Sequence, residues 1–168
     1  SLRLKNLTIE ISELFDNYYT SMLVIKGIPL SIQTTGKSFN RGSGDLDILV
    51  KQNELGKAIK LLKMLGFTPI KGEFVLGQGF WSDYCKFVDN EIKLFRKSKL
   101  GLEIIDLHWS LTTFKKSTKN FEELWANREI INLNNVLVNT LDIDNCFIYI
   151  CAHNAIDRWS SLRNFVDI

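Results

Sequence analysis

Asp45 and Asp47 stand two residues apart at the head of an apolar run, Gly44-Asp45-Leu46-Asp47-Ile48-Leu49-Val50. On a β-strand, side chains at i and i+2 point to the same face. The spacing therefore sets the two carboxylates side by side and turns Leu46 and Ile48 towards a core. Adjacent carboxylates repel, and a divalent cation between them relieves that repulsion. Magnesium favours carboxylates plus substrate phosphates and keeps part of its water shell. Two such ions about 3.5–4 Å apart can activate an attacking hydroxyl and stabilise a leaving pyrophosphate. A second Asp-x-Asp, Asp142 and Asp144, serves as an internal control. It precedes a helical pattern at 143–157, where an acid beside the positive end of the helix dipole is a cap.

A phosphate end for the first pair lies upstream, in Leu23-Val24-Ile25-Lys26-Gly27. Glycine lets the backbone turn sharply and approach a ligand closely. The helix behind it aims its first N–H groups at the turn, an anion site beside the Lys26 charge. The plainer alternative is a strand-to-helix turn with a solvated lysine.

The elements that must position these residues follow from periodicity. Apolar groups at helical spacing predict a helix over 7–20, and 22–26 reads as a short strand. Pro29 suits the first turn of a helix running to about Thr35. Residues 36–43 are a loop by composition. Asp45 to Val50 is a strand, and 53–65 is a helix capped by Gly66. Residues 67–70 form a short strand, and 71–81 are irregular. Three strands follow at 83–88, 91–96 and 101–107, the first two joined at Asp89-Asn90. Helices are expected over 121–128 and 143–157, with one more after Arg158. This order predicts an α+β fold, a mixed β-sheet flanked by helices with a C-terminal helical segment.

The motifs Lys26-Gly27 and Arg41-x-x-Gly44-Asp45-x-Asp47-x-Leu49-Val50 resemble the DNA polymerase-beta-like nucleotidyltransferase superfamily. They are most similar to an uncharacterised bacterial group of nucleotidyltransferases that also carries Asp-x-His-Trp and a later His before Arg-Trp. The chain has Asp106-Leu107-His108-Trp109 and His153 followed by Arg158-Trp159, so the resemblance spans about residues 22–168. It implies a third carboxylate on a neighbouring strand. Asp106 is the match and is favoured over Glu103. Strand parity puts Leu102, Ile104 and Asp106 on one face and Glu103 on the other, and a face shared with core residues is an odd place for an acid unless the strand end opens into a site. In family terms Asp106 is a general base for the acceptor hydroxyl or a ligand of the catalytic metal. The resemblance implies Mg2+ or Mn2+ on Asp45, Asp47 and Asp106, with a nucleoside triphosphate held near Lys26, Gly27, Arg41, Ser43 and Gly44. Ile28 replaces the small hydroxyl residue usual beside the turn glycine, which leaves the triphosphate contacts open. His108 and Trp109 read as a hydrogen-bonded histidine and a core tryptophan, and His153 as a packing or helix–helix hydrogen-bonding residue rather than a metal ligand.

The implied function is transfer of a nucleoside monophosphate from a triphosphate to an acceptor hydroxyl with release of pyrophosphate. The acceptor is a small molecule, a protein or an RNA. The rival reading is a catalytically inactive nucleotide-binding or regulatory module of the same fold. The implied division is a catalytic domain over 1–110 with its N-terminal helix, then a helical extension over 111–168. The absence of an initiator Met and the apolar end at Asp167-Ile168 suggest a truncated chain.

Composition sets the outer limits. With 168 residues, 45% apolar and 24% charged, the chain can build a core and is not a disordered type. A net charge of +2 does not by itself argue for nucleic acid. No run of about eighteen apolar residues suggests a membrane span. Three scattered cysteines read as reduced and cytoplasmic. Two histidines far apart argue against structural zinc.

Overall fold

The computed structural model describes residues 2–36, 44–69, 90–99, 101–112 and 119–156. Helix α1 (Leu2–Asn17) buries Leu4, Leu7, Ile11 and Phe15, spaced three and four residues apart. It starts earlier than the apolar period suggests because Leu4 already packs in the core. Strand β1 (Met22–Val24) is buried on both sides. Met22 and Val24 join the cluster with α1, while Leu23 and Ile25 join a second cluster on the opposite face.

After β1 the chain turns at Gly27, whose φ of 77° lies in the region that only glycine enters without strain. Helix α2 (Ile28–Thr35) then begins with Pro29 in its first turn and ends on the left-handed Gly36. Strand β2 (Leu46–Val50) returns antiparallel to β1, with Leu23 opposite Leu49. A 3-10 turn at Gln52–Glu54 leads into α3 (Leu55–Met64). Gly66 at φ 86° closes that helix in a Schellman motif: Phe67 N–H donates to Leu62 at 3.1 Å and Gly66 N–H to Lys63 at 2.9 Å.

Strand β3 (Thr68–Pro69) pairs with β4 (Glu91–Ser98), which forms a long hairpin with β5 (Gly101–His108). Helix α4 (Phe121–Ala126) opens with a reciprocal capping box between Asn120 and Glu123. Strands β6 (Glu129–Leu133) and β7 (Val136–Thr140) follow, then α5 (Ile143–Ile156).

The strands form one mixed sheet in the order β3-β4-β5-β2-β1-β7-β6. The pairs β2/β5 and β1/β7 are parallel and the others antiparallel. Helices α1 and α3 cover one face through Leu7, Ile11, Leu55, Ile59 and Leu62. The other face carries Leu30 of α2, Phe121 and Leu124 of α4, and Cys146, Tyr149 and Ile150 of α5. This is the expected α+β architecture with helices on a mixed sheet.

One difference is substantial. The part after residue 110 is not only a helical extension, because the β6/β7 hairpin adds two strands to the same sheet beside β1. Its turn is Asn134-Asn135, both at positive φ, a two-residue type that asparagine tolerates. The signal was present in the sequence but is short, and Asn-Asn is a weaker turn marker than Asn-Gly. The expected strand at 83–88, the Asp89 half of the 89–90 turn and the helix after Arg158 lie outside the described residues.

Asp142 behaves as a cap. Its Oδ1 accepts the backbone N–H of Asn145 at 3.0 Å, and its other oxygen accepts the Asn145 side-chain amide. Burial pushes the Asp142 carboxyl up, but these donors outweigh it and hold the pKa below the ordinary aspartate value. Asp142→Ala should cost about 1 kcal/mol in denaturant unfolding. Because the folded pKa is lowered, the contribution is present above the ordinary aspartate range. The difference between wild type and variant should shrink as pH falls through the folded pKa.

Candidate active site

Parallel pairing of β2 with β5 puts Asp47 opposite Asp106 in register. Neighbouring strands lie about 4.8 Å apart, so the two carboxylates are direct neighbours on one face. Both are buried, at 6% and 5% exposure. Asp45 sits half-buried in the bend just before β2. The three acids feel one another. Burial pushes the Asp106 pKa up first, the charges of Asp47 and Asp45 add to that rise, and Lys93 opposes it.

Parity puts the two candidate third acids on opposite faces of β5. Ile105 and Leu107 point into the α1/α3 core, and Glu103 lies on that side with them. Glu103 accepts from Arg96 Nε at 2.6 Å, and the same guanidinium reaches Glu10 of α1 and the carbonyl of Leu65. It also stacks 4.6 Å over the Phe67 ring. Glu103 is thus tied into a bridge on the far face. The strand face that carries Asp106 is not core along its whole length, since Leu102 is 46% exposed.

Cations and rings surround the acids. Lys93, directly across β4 from Asp106, donates its ammonium to Asp106 Oδ2. Lys26, from the turn after β1, lies 3.5 Å from His153 Nε2 and 6.0 Å from the Tyr149 ring centre. His108 is buried between two acids, with Nε2 3.6 Å from Asp47 Oδ1 and Nδ1 3.3 Å from Glu91 Oε2. Neither is a well-aligned hydrogen bond; both are close polar contacts. Desolvation pushes Asp47 up, but His108, Lys26 and His153 outweigh it and draw the pKa below the ordinary aspartate value. Tyr149 sits edge-on to both histidines, at 6.4 and 5.8 Å between ring centres. Its hydroxyl is pushed well above the usual tyrosine value by burial, then by Asp47, Glu91 and Asp106.

The structure therefore gathers Lys26, Asp45, Asp47 and Asp106, with Gly27 forming the turn beside them. Gly44 is exposed, and a Cβ there would meet nothing within 4 Å, so space does not demand glycine. Arg41 and Ser43 lie outside the described residues. His108, read from the sequence as a hydrogen-bonded histidine, and His153, read as a packing or helix–helix hydrogen-bonding residue, both contact this cluster. Glu91, Lys93 and Tyr149 have no motif of their own. Counting back along the hairpin from Ser98 opposite Gly101 would have placed Lys93 opposite Asp106 and Glu91 opposite His108.

The donors suit a hard cation, which takes carboxylate oxygens. Asp106 Oδ1 is buried with no hydrogen-bond partner among the described residues, an acceptor left over after Lys93 has taken Oδ2. Among the described residues no group of three His, Cys, Asp or Glu is already drawn together as a ready metal cage. The residues fit such an ion in kind.

The sequence profile of the family described as "Uncharacterised nucleotidyltransferase" matches residues 1–168. The chain belongs to that family. Among curated proteins none matches this nucleotidyltransferase family member. Two solved structures share its fold. An antigenic nucleotidyltransferase-like protein from Paracoccidioides brasiliensis is 14% identical at a TM-score of 0.64, covering 99% of this chain and 72% of that one. ANT(2″)-Ia, solved in complex with adenylyl-2″-tobramycin, is 12% identical at a TM-score of 0.63, covering 98% and 84%. No helix among the described residues is long and apolar enough to cross a membrane.

Two stability measurements separate structural from site groups. Arg96→Met strands the buried Glu103 and should destabilise the protein by about 3–5 kcal/mol in urea unfolding. Adding Glu103→Gln should recover part of that loss. Tyr149→Phe removes a buried hydroxyl that has no hydrogen-bond partner among the described residues. Such a group costs about 1–3 kcal/mol, so calorimetry should show a midpoint equal to or above that of the wild type.

Proposed function

We propose that this chain transfers a nucleoside monophosphate from a nucleoside triphosphate to an acceptor hydroxyl and releases pyrophosphate. The observation that carries the reading is Asp47 in register with Asp106, whose inner oxygen has no hydrogen-bond partner among the described residues. Asp45, Asp47 and Asp106 would hold Mg2+ or Mn2+. Such a cation, when bound, neutralises triphosphate charge and favours ionisation of the acceptor hydroxyl.

The protein's own groups supply the rest. The Gly27 turn brings backbone close to the phosphates, and glycine offers no side-chain oxygen to cap the first N–H groups of α2. Lys26 stands beside that turn as a counter-charge. Arg41, Ser43 and Gly44, on the segment leading into β2, are further candidates for the triphosphate. Lys93 on Asp106 Oδ2 keeps that carboxylate oriented, with Oδ1 directed to the reacting oxygen or to the cation. The acceptor is a small molecule, a protein or an RNA.

One observation favours a second reading, a catalytically inactive nucleotide-binding or regulatory module. The Lys93 ammonium already neutralises Asp106, which weakens the case for a third metal ligand or base. Incubation of the intact protein with labelled triphosphates, Mg2+ or Mn2+ and candidate acceptors separates the two. Pyrophosphate release is expected, abolished by EDTA and reduced at least about 10²-fold in Asp45→Asn, Asp47→Asn and Asp106→Asn. Release that persists in these variants overturns the ligand assignment. Metal-dependent triphosphate binding without turnover of any acceptor supports the second reading.

A further inference from the structure

We propose that Glu91 and His108 form a positioning chain that holds Asp47 in place for the cation. The proposal rests on the reading of Asp47 as a metal ligand and adds two residues outside the ligand set. His108 is 1% exposed, and among the described residues neither ring nitrogen has a hydrogen-bond partner. One nitrogen faces Asp47 Oδ1 at 3.6 Å and the other faces Glu91 Oε2 at 3.3 Å. A buried histidine that serves packing alone would turn a nitrogen to a backbone carbonyl. Here the ring spans two acids instead.

The backbone makes the arrangement rigid. His108 pairs with Leu49 on β2 and with Glu91 on β4, so both neighbouring strands fix it. Two residues along β5 it shares a face with Asp106, and through Leu49 it lies diagonal to Asp47 on the same face. Tyr149 stands edge-on against the ring and closes the side away from the sheet. An aspartate at the start of a strand can rotate about its side-chain bonds, and a planar ring held on three sides limits that rotation. Groups behind a metal ligand that fix its orientation typically change metal affinity or activity by about 10–100-fold when replaced. Glu91 is the outer member, with its side chain 36% exposed, and it reaches Asp47 only through the ring.

The test is Mn2+ binding followed by electron paramagnetic resonance on the intact protein with a nucleoside triphosphate. Wild type, Glu91→Gln, His108→Gln and the double variant are compared. Each single change should weaken Mn2+ binding about tenfold or more, and the double variant should bind no more weakly than His108→Gln. Glu91→Gln should leave the melting temperature near that of the wild type, since its side chain is partly solvated. If His108→Gln does not fold, Glu91→Gln and Glu91→Asp together decide, because Glu91→Asp keeps the charge and shortens the reach. Weakened binding in both variants is positional. Wild-type affinity in Glu91→Asp beside a loss in Glu91→Gln is a charge effect and overturns the proposal. Multiplying losses in the double variant, or wild-type affinity in either single variant, also overturn it. Wild-type protein that binds no Mn2+ overturns the metal reading and this proposal with it.

Discussion

The parallel pairing of β2 with β5 sets the terms for the rest of the site. It puts two carboxylates opposite each other, both buried and both negative when ionised. Burial and mutual repulsion act in the same direction on Asp106 and raise its pKa. The surrounding groups compensate one acid each. Lys93 answers Asp106 from β4, while Lys26, His108 and His153 answer Asp47 from the β1 turn, β5 and α5. Four separate elements thus converge on one pair of buried acids.

Strand alternation lets the same residues build a core and a site. Leu46, Ile48 and Val50 of β2 and Ile105 and Leu107 of β5 fill the cluster under α1 and α3. The intervening positions, Asp47, Asp106 and His108, face the opposite side. Leu49 on that side packs with α4 and α5. Glu103 belongs to the first face, where Arg96 pins it to Glu10 of α1. Two acids three residues apart on one strand therefore have unrelated surroundings. The two fold relatives show how little sequence this framework needs, since identity is 14% and 12% while the TM-scores are 0.64 and 0.63. Shared fold does not carry the acceptor with it, because specificity is set by side chains that the framework leaves free to vary.

The two Asp-x-Asp pairs give a direct view of what local context controls. Asp45 and Asp47 precede an alternating apolar run and enter a sheet. Asp142 precedes a helical period and caps α5. The same residue types serve opposite ends, one next to other acids and one next to backbone N–H groups. Neighbouring residues within about one turn or one strand are enough to separate these outcomes, because both depend on local backbone geometry.

What the sequence by itself determined was whatever depends on short-range spacing. This covers most of the described helices and strands, the Gly27 turn, the Gly66 helix end, the placement of Asp45 and Asp47 at the head of β2, and the separation of Asp106 and Glu103 onto opposite faces by parity. The β6/β7 hairpin escaped because Asn-Asn is a weak turn signal, and the sheet consequently runs past the expected boundary at residue 110. The tertiary structure alone decided which distant residues complete the site. Lys93 and Glu91 enter through hairpin register, and Tyr149 and His153 enter because α5 packs over the open face of β2 and β5. Those contacts join residues far apart in the chain, and no local pattern encodes them. They exist only once the sheet has closed and the helix has buried Cys146, Tyr149 and Ile150 against it.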